Sequence, residues 1–303
     1  MAGQTQQKSM HPRNLHAAGY DIKKLTAKNP ALKAHVITTV AGKESINFSS
    51  PEAVFELNKS LLMKYYQIDQ WSILRNSLCP PIPGRVDYVH YLADLLAQDH
   101  AGEIPKGAGV KILDIGTGSS CIYPILGQRA YQWSFVATDI EAGALNHAQA
   151  TLKSNTGLKR DIVLRLQEDR AHIFDGIIEK NDRFDGVMCN PPFFKSREDN
   201  WQKSTKKFNN LHKDAEKLPV QNFGGHPNEL WCEGGEKQFI RNMIYESMNY
   251  KDQLGWITTL VSDKDNVKPL IAILEYHKVP KLEIIPMAQG NKRIRILAWK
   301  WNA

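Results

Sequence analysis

Cysteine is scarce in this sequence, and the spacing of the few cysteines excludes two common kinds of site. The 303 residues contain four of them, Cys79, Cys121, Cys189 and Cys232. No two are close enough to form a CxxC zinc or redox motif. Scattered cysteines are typical of proteins from a reducing compartment. We therefore expect no metal site built on cysteine pairs.

Long apolar runs are also absent. The first residues, MAGQTQQKSMHPRN, lack the apolar stretch of a secretion signal. No run approaches the ~20 apolar residues that cross a membrane. Hydrophobic residues nevertheless make up 42% of the chain, enough for a sizeable core. The sequence predicts a soluble, cytoplasmic protein with no membrane partner.

Positive charge is concentrated in two stretches. Residues 1–43 hold seven Lys/Arg and one acid, and residues 195–217 hold seven Lys/Arg and four acids, in a chain of net charge +7. Such stretches suit a polyanion, although basic tails also serve solubility alone. The candidates for contacts with nucleic-acid phosphates are Arg13, Lys23, Lys24, Lys28, Lys203, Lys206 and Lys207.

Hydrophobic periodicity divides the chain into three parts. Residues 1–45 are expected to form a basic arm with little core of its own, and residues 46–100 a helical lead-in that packs on the core. Over 101–303, strands alternate with helices, which predicts a parallel α/β sheet with helices on both faces.

Local patterns add three expectations to this division. The segments PKLEIIPMA and KRIRILAWKW predict a final antiparallel hairpin. A short helix is expected near HIFDGIIEK (172–180). LCPPIPGR is expected to break the chain before a helix from residue 86.

The segment LDIGTGSS places Asp114, Gly116, Gly118 and Ser120 at the first strand-to-helix turn. Ligands of open α/β sheets bind at such carboxyl ends of strands. Asp139 ends the next strand, where an acid can hold two ribose hydroxyls. Cys121 stands where the nicotinamide fingerprint has its third glycine. The pattern favours a nucleoside ligand, which NAD and S-adenosylmethionine both contain, over a simple tight turn followed by a helix cap.

The segment CNPPFF follows another buried strand, FDGVMC. The exocyclic amine of adenine is a poor nucleophile, so an enzyme that uses it must accept hydrogen bonds from its hydrogens. The Asn190 side-chain oxygen and the Pro191 carbonyl are candidate acceptors. Pro191 and Pro192 make the turn rigid before a substrate arrives, and Phe193 is a candidate to stack on the base.

A simpler interpretation of CNPPFF is a strand stop with hydrophobic anchors. Phe194 fits that interpretation best. The combination of an amide, two prolines and an aromatic ring in Asn190–Phe193 favours catalysis instead.

Together these motifs resemble a known family. The chain resembles the bacterial 23S ribosomal RNA adenine-N6-methyltransferases of the type that modifies adenine 1618 and, more loosely, the eukaryotic enzyme that methylates spliceosomal small nuclear RNA. The segments that carry the resemblance along nearly the whole chain are HPRN, INFSSPEA, PGRVDYVH, DIGTGSSCIYP, CNPPFF, NFGG and ELWCEGGE.

The resemblance implies a Rossmann-like methyltransferase sheet, mostly parallel with an antiparallel C-terminal hairpin, a basic helical extension at the N-terminus and a basic loop at 195–228. It implies S-adenosylmethionine as the cofactor, and 23S ribosomal RNA or a large-subunit assembly intermediate as the partner, without a metal. The residues that it places at the cofactor are Arg85, Asp114, Gly116, Gly118, Ser120, Asp139 and Asn190.

Two other functions are compatible with parts of this pattern. A protein glutamine N5-methyltransferase would present a similar amide to the site, although such enzymes resemble NPPY and need no basic arm. A ribosome-assembly factor with a vestigial site is the second alternative. The presence of Asn190, Asp139 and Gly116 argues against it.

Overall fold

The computed structural model describes residues 10–75, 77–192, 232–289 and 292–302. The sequence predictions for Phe193, for Lys203, Lys206 and Lys207, and for the loop at 195–228 lie outside the described residues.

The described helices alternate with strands, as the periodicity predicts. The helices are α1 (Ile22–Lys28), α2 (Pro51–Tyr65), α3 (Ile82–Gln98), α4 (Ile122–Tyr131), α5 (Ala142–Ser154), α6 (Leu158–Asp161), α7 (Gly235–Ser247) and α8 (Lys264–Tyr276). Two 3-10 helices cover Pro30–His35 and Met248–Tyr250. The strands are β1 (Val36–Thr38), β2 (Glu44–Ile46), β3 (Lys111–Ile115), β4 (Ser134–Asp139), β5 (Ile162–Leu166), β6 (Phe184–Cys189), β7 (Leu254–Val261), β8 (Lys281–Gln289) and β9 (Lys292–Lys300).

Seven of these strands form one mixed sheet in the order β5-β4-β3-β6-β7-β9-β8. The first five run parallel, while β9 is antiparallel to both β7 and β8. The order of the strands along the chain reverses at β3. From β3 the chain continues to β4 and β5 on one side, and it then returns to β6 on the other side. In such sheets that reversal opens a crevice for ligands at the carboxyl ends of the strands. The predicted fold class is therefore confirmed.

Both faces of the sheet are covered, and its central strands β3 and β7 are buried along nearly their whole length. One buried cluster joins α2, α3 and α4 to one face, with Tyr88 and Trp256 among its fully buried members. The other joins α7 and α8 to the opposite face around Trp299. We call the edge formed by the carboxyl ends of the parallel strands the rim. A site at the rim thus lies on a sheet that is buried on both sides.

The N-terminal segment is part of this core, contrary to the expectation of an arm with little core of its own. Leu25 of α1 and Leu32 are fully buried in the cluster that contains α2 and α3. The segment also contains the hairpin β1–β2, which the sequence did not predict. Its lysines gave it the composition of a tail, but its apolar side chains Ile22, Leu25 and Leu32 are buried.

Polar side chains of the HPRN motif fasten this segment to α3. The backbone N–H of His11 and the Asn14 amide both donate to Asp87, at 3.0 and 2.5 Å. The His11 ring and the Arg13 guanidinium both bind Asp94, each at 2.8 Å. Arg13 also donates to the Tyr131 hydroxyl and to a backbone carbonyl of α3. Its predicted role in RNA binding therefore competes with three internal hydrogen bonds.

Helix α3 begins four residues earlier than predicted. The proline-rich segment breaks the chain only as far as Pro81, and Pro83 occupies the first turn, where its missing N–H is harmless. The backbone N–H of Ile82 donates to the Asn58 side chain at 3.0 Å, which satisfies the start of the helix. Consequently Arg85 lies on the first turn of α3.

The prediction of a short helix at 172–180 is wrong. These residues form turns, because the Glu246 carboxylate accepts hydrogen bonds from the backbone N–H groups of Ile173, Phe174 and Asp175. Gly176 then adopts a φ of 77°, which ends any helical path. No helix among the described residues is long and apolar enough to cross a membrane.

We predict that Leu25→Ala destabilises the whole protein. The side chain is fully buried, and truncating such a leucine costs about 2–5 kcal/mol in transfer and cavity terms. Urea unfolding should show one transition with a lower midpoint. Leu15→Ala is the control, since Leu15 is 59% exposed and its loss should change the free energy of unfolding by less than about 0.5 kcal/mol. Equal effects of both variants would contradict the integration of this segment into the core.

Candidate active site

The register of the central strands brings three predicted residues to one edge of the sheet. Ile115 of β3 lies opposite both Thr138 of β4 and Cys189 of β6. Each of these aligned residues is followed directly by a residue of the predicted site: Gly116, Asp139 and Asn190. Neighbouring strands lie about 4.8 Å apart, so the three residues share one small area of the rim.

The turn after β3 depends on its glycines. Gly116 and Gly118 have φ angles of 73° and 64°, values that strain other residues. The backbone N–H of Thr117 donates to the carbonyl of Thr138 at 2.8 Å, which ties the turn to β4. Gly116 itself is exposed, so its backbone is open to a ligand.

Asp139 connects this turn to the end of β4. One carboxylate oxygen accepts from the backbone N–H of Gly118 at 2.8 Å, and the other from that of Glu141 at 2.9 Å. The cap-like role that the sequence left open is therefore real. Asp139 is half-buried, and these bonds fix the direction in which its carboxylate points.

Asp114 is the most deeply buried charge at the rim. Its side chain is fully buried, and neither carboxylate oxygen has a hydrogen-bond partner among the described residues. Burial raises the pKa of Asp114 to about 7, with a contribution from the Asp139 charge, while Thr117 and Arg85 act in the opposite direction. A carboxyl in this state gains from any cation placed beside it.

Arg85 approaches the same area from helix α3. Its guanidinium donates to the Tyr123 hydroxyl at 2.6 Å and lies 5.5 Å from the centre of the Tyr123 ring. Its Nε is buried without a partner among the described residues. The arginine is thus oriented by Tyr123, with part of its donor capacity unused.

The turn after β6 combines rigidity with an unused acceptor. Asn190 is half-buried, and its side-chain oxygen is buried without a hydrogen-bond partner among the described residues. Pro191 is buried and Pro192 half-buried. Because two successive residues lack N–H groups, the backbone of Pro191 and Pro192 offers only acceptors to a ligand.

Ser120 contributes to the site through its backbone. Its carbonyl accepts a hydrogen bond from the Trp71 indole at 3.1 Å, and Ser119 accepts one from the backbone N–H of Leu74. Trp71 in turn stacks on Phe55 of α2. Trp71 and Leu74 therefore support the glycine-rich turn from outside, a role that no sequence pattern indicated.

The predicted phosphate-binding lysines that the structure describes lie on α1. Lys23, Lys24 and Lys28 are all exposed. Lys24 pairs with Asp21 at 2.8 Å, and Lys28 with Asp69 at 3.3 Å. Lys24 and Lys28 line a shallow groove together with Lys64. Exposed ion pairs of this kind are weak and exchange readily for other partners.

Comparison with known proteins assigns this geometry to a family. A family model described as RNA methyltransferase matches residues 4–303. This chain belongs to that RNA methyltransferase family. The match covers the rim residues and the N-terminal segment alike. It argues against the protein glutamine methyltransferase alternative.

Bacterial relatives of the family match over nearly their whole length. Proteins named Ribosomal RNA large subunit methyltransferase F are 46% identical in Pseudomonas putida (strain GB-1), covering 98% of this chain and 95% of the relative. The relative in Pseudoalteromonas translucida is 48% identical, covering 99% and 96%. The relative in Flavobacterium johnsoniae is 47% identical, and the match covers 98% of this chain and 95% of the relative.

Solved structures of the family have the same fold. The hMettl16 catalytic domain in complex with MAT2A 3'UTR hairpin 6 superposes with a TM-score of 0.79 at 29% identity, covering 98% of both chains. The N-terminal domain of human METTL16 in complex with SAH gives 0.75 at 28% identity, covering 98% of this chain and 100% of that one.

As a member of this family, the protein is an RNA methyltransferase that uses S-adenosylmethionine. The residues at the rim fit such a group. It carries a carboxylate, a cationic sulfonium and ribose hydroxyls, and the rim offers an under-used guanidinium, two acidic side chains and an open glycine turn. Within the described residues, no three His, Cys, Asp or Glu side chains are grouped as metal ligands.

We predict that Asp114 makes stability fall with rising pH. The pKa of Asp114 is 3.8 in the unfolded chain and about 7 in the fold. The residue is protonated in both states below pH ~4. Between pH ~4 and ~7 only the unfolded chain ionises it, so the free energy of unfolding drops by at most about 4 kcal/mol. Relative to Asp114→Asn, the wild type should lose stability across this range and change no further above it.

The measurement is urea unfolding of wild type and Asp114→Asn at a series of pH values, and Asp182 provides the opposite case in it. Although burial opposes it, Arg165 and Lys111 hold the pKa of Asp182 well below its usual range. The stability that it contributes is therefore present above pH ~4 and is lost as the pH falls further.

A flat difference between wild type and Asp114→Asn from pH 4 to 7 would show that Asp114 is not held in its protonated form.

Proposed function

We propose that this enzyme transfers a methyl group from S-adenosylmethionine to the N6 amino group of one adenine in 23S ribosomal RNA. The observation that carries the proposal is the buried, unpartnered side-chain oxygen of Asn190 in a proline-fixed turn at the rim. The names of the bacterial relatives, which specify the RNA of the large ribosomal subunit, support this choice of substrate.

Asn190 serves the nucleophile. The adenine amine becomes more nucleophilic when its hydrogens bind acceptors, because its lone pair is then drawn less into the ring. The Asn190 oxygen accepts one hydrogen, and the Pro191 carbonyl accepts the second. Both are acceptors in place before the base arrives, so little ordering is needed at the moment of reaction. Phe193 is the proposed stacking partner of the base, which has to be flipped out of its stack to reach the turn.

Four residues hold the methyl donor in this proposal. Arg85 binds the methionine carboxylate with the donor capacity that Tyr123 leaves free. Asp139 would bind the ribose hydroxyls with its carboxylate, whose direction the bonds from Gly118 and Glu141 fix. The backbones of Gly116 and Ser120 line the space between them. The group itself supplies an electrophilic methyl on a positively charged sulfur.

The charge of Asp114 complements that cation. A positive group beside this carboxyl lowers its pKa again, so that the ionised form is favoured when the site is filled. The bond from N6 to the methyl group would form as the bond from the methyl group to sulfur breaks, which leaves a neutral thioether and removes the attraction. Asp114 would therefore favour binding of the donor over the product. The methylated amine would release its proton late, to water or to a backbone acceptor, so no side chain has to act as a strong base.

Concentrated positive charge at α1 suits the RNA partner. Lys23, Lys24 and Lys28 are exposed, and their internal ion pairs are weak ones. Phosphate contacts of this kind set affinity and orientation without reading sequence. We infer that they hold either 23S ribosomal RNA itself or an assembly intermediate of the large subunit, in a bacterial cytoplasm.

The test is mass spectrometry of ribosomal RNA from cells with and without the gene. We predict that one N6-methyladenosine of 23S RNA disappears on deletion and returns with the wild-type gene but not with Asn190→Ala. Asn190→Ala should lower the single-turnover rate by at least about 100-fold, because its acceptor acts most strongly in the transition state. Ribosomal RNA with an unchanged methylation pattern would refute the proposed function.

Asp139→Ala is the contrasting variant in the same assays. It removes a charged hydrogen-bond acceptor worth about 1.5–3 kcal/mol, so affinity for S-adenosylmethionine should fall roughly tenfold or more. Asn190→Ala should weaken that affinity only modestly in calorimetry. If Asn190→Ala keeps a near-normal single-turnover rate, the catalytic role of Asn190 is wrong. A wild-type protein with no affinity for S-adenosylmethionine would instead be the vestigial assembly factor.

We predict that neutralising Lys23, Lys24 and Lys28 together weakens RNA binding and flattens its salt dependence. Each lost phosphate contact should reduce the slope of log K against log salt by about 0.7–0.9. Affinity for S-adenosylmethionine should stay constant, because α1 lies outside the rim. The measurement is RNA affinity at several salt concentrations, on naked 23S RNA and on isolated large subunits.

A matched triple variant controls for net charge. Lys153, Lys159 and Lys180 are also exposed, and the last two precede β5 and β6 at the edge of the sheet opposite the rim. Neutralising these three should leave the slope unchanged. Identical slopes for both triple variants and the wild type would show that the lysines of α1 serve only solubility.

A further inference from the structure

The hydroxyl of Tyr88 lies at the end of β6, one residue before Asn190. Tyr88 is fully buried on α3, and its oxygen lies 3.2 Å from the backbone nitrogen of Cys189 and 3.3 Å from the Cys189 carbonyl oxygen. It also lies 2.8 Å from the Thr258 hydroxyl of β7. The reaction described above does not use this group.

The protons of this cluster can be ordered in one consistent chain. The Cys189 N–H donates to the Tyr88 oxygen. The Tyr88 hydroxyl then donates to Thr258, whose own hydroxyl donates to the carbonyl of Val187 at 2.6 Å. Burial raises the pKa of Tyr88 well above its usual value, so the hydroxyl keeps its proton. This chain of hydrogen bonds starts at Cys189 and ends at Val187, both in the last three residues of β6.

This chain lies where the ladder between β6 and β7 ends. The last paired residues of the two strands are Val187 and Ile257. Beyond them a buried strand would leave backbone groups without partners, which is costly in a protein interior. The two hydroxyls supply those partners, and they hold the end of β6 on the side away from β3.

We propose that Tyr88, together with Thr258, is a positioning residue that fixes the Cys189 peptide and thereby the direction in which Asn190 leaves the sheet. This role rests on the proposed function of Asn190. It differs from general support, because the backbone groups that the Tyr88 hydroxyl contacts belong to Cys189, the residue directly before Asn190.

Tyr88 also relates the two halves of the site to each other. It lies three residues after Arg85 on α3, so both side chains project from the same face of the helix. The Tyr123 ring packs edge-on against the Tyr88 ring at 5.3 Å, while its hydroxyl binds Arg85 at 2.6 Å. The side of the site with Asn190 and the side with Arg85 are thus both positioned by helix α3.

The test is Tyr88→Phe, which keeps the ring and removes only the hydroxyl. A small misplacement of a reacting group lowers rates strongly, so we expect the single-turnover rate to fall at least tenfold. The dissociation constant of S-adenosylmethionine should stay within twofold of the wild type. Thr258→Val should behave in the same way, and the double variant should lose no more than the stronger single one, because both hydroxyls belong to one chain.

Tyr66→Phe is the matched control. Tyr66 is also buried, and its hydroxyl makes a 3.0 Å contact with the His16 ring, away from β6. It should lose a similar amount of stability while its turnover stays at the wild-type level. If Tyr88→Phe turns over like Tyr66→Phe, or if its affinity for S-adenosylmethionine falls in parallel with its rate, the positioning role is refuted.

Hydrogen exchange separates this inference from the proposed function. In Tyr88→Phe, the peptide that contains Cys189 should exchange faster than in the wild type, with the rest of β6 and β7 unchanged. This readout needs no RNA substrate. A wild type that methylates no ribosomal RNA would refute the proposed function alone, whereas unchanged exchange at Cys189 would refute the positioning role alone.

Discussion

The parallel pairing of β6 with β3 determines where every part of the candidate site lies. It aligns Cys189 with Ile115, and so it places Asn190 beside the glycine-rich turn. A slip of one residue would reverse the faces of β6 and carry Asn190 away from the turn. Gly186 helps to hold this register, since a Cβ there would come within 3.1 Å of the Leu92 side chain on α3 and 3.3 Å of Ile112 on β3. Close packing of helix and strand thus keeps the site in place.

The rim stores polar groups that the described residues leave unsatisfied. The Asp114 carboxylate, the Asn190 oxygen and the Arg85 Nε are all buried without a partner there. Each such group lowers the stability of the free protein, and a ligand that pairs with it regains that free energy on binding. Five of the eight buried side-chain nitrogen and oxygen atoms that lack a partner among the described residues belong to Arg85, Asp114, Thr117 and Asn190. Function, not stability, accounts for these groups.

Much of the fold could be predicted because it rests on local periodicity. The strand FDGVMC and both segments of the final hairpin lie within about two residues of their predicted positions, and the place of the residues at the strand ends follows from the rule for parallel sheets. The failures have a common cause in tertiary contacts. Glu246 lies over 70 residues from the backbone groups that it binds at 173–175, and no local pattern contains it.

The same limit applies to the residues around the site. Asp139 and Asn190 stand in motifs that indicate them directly, and Arg85 follows from the family resemblance. Tyr88 lies inside a buried helix where an aromatic residue is expected for packing alone, and its contact with Cys189 spans 101 residues. Arg13 shows the reverse case, since a positive charge in a basic segment suggested a polyanion, while the structure binds it to Asp94.

The place of β9 between β7 and β8 has a consequence for synthesis of the protein. β8 is made before β9 but pairs only with β9 in this sheet, so it has no position to occupy until residues 292–300 follow it. The growing chain can form β3 to β7, but one side of β7 stays unpaired while the ribosome is still translating. Domains that complete late expose strand edges during synthesis. For this fold, that interval closes only when β9 has left the exit tunnel.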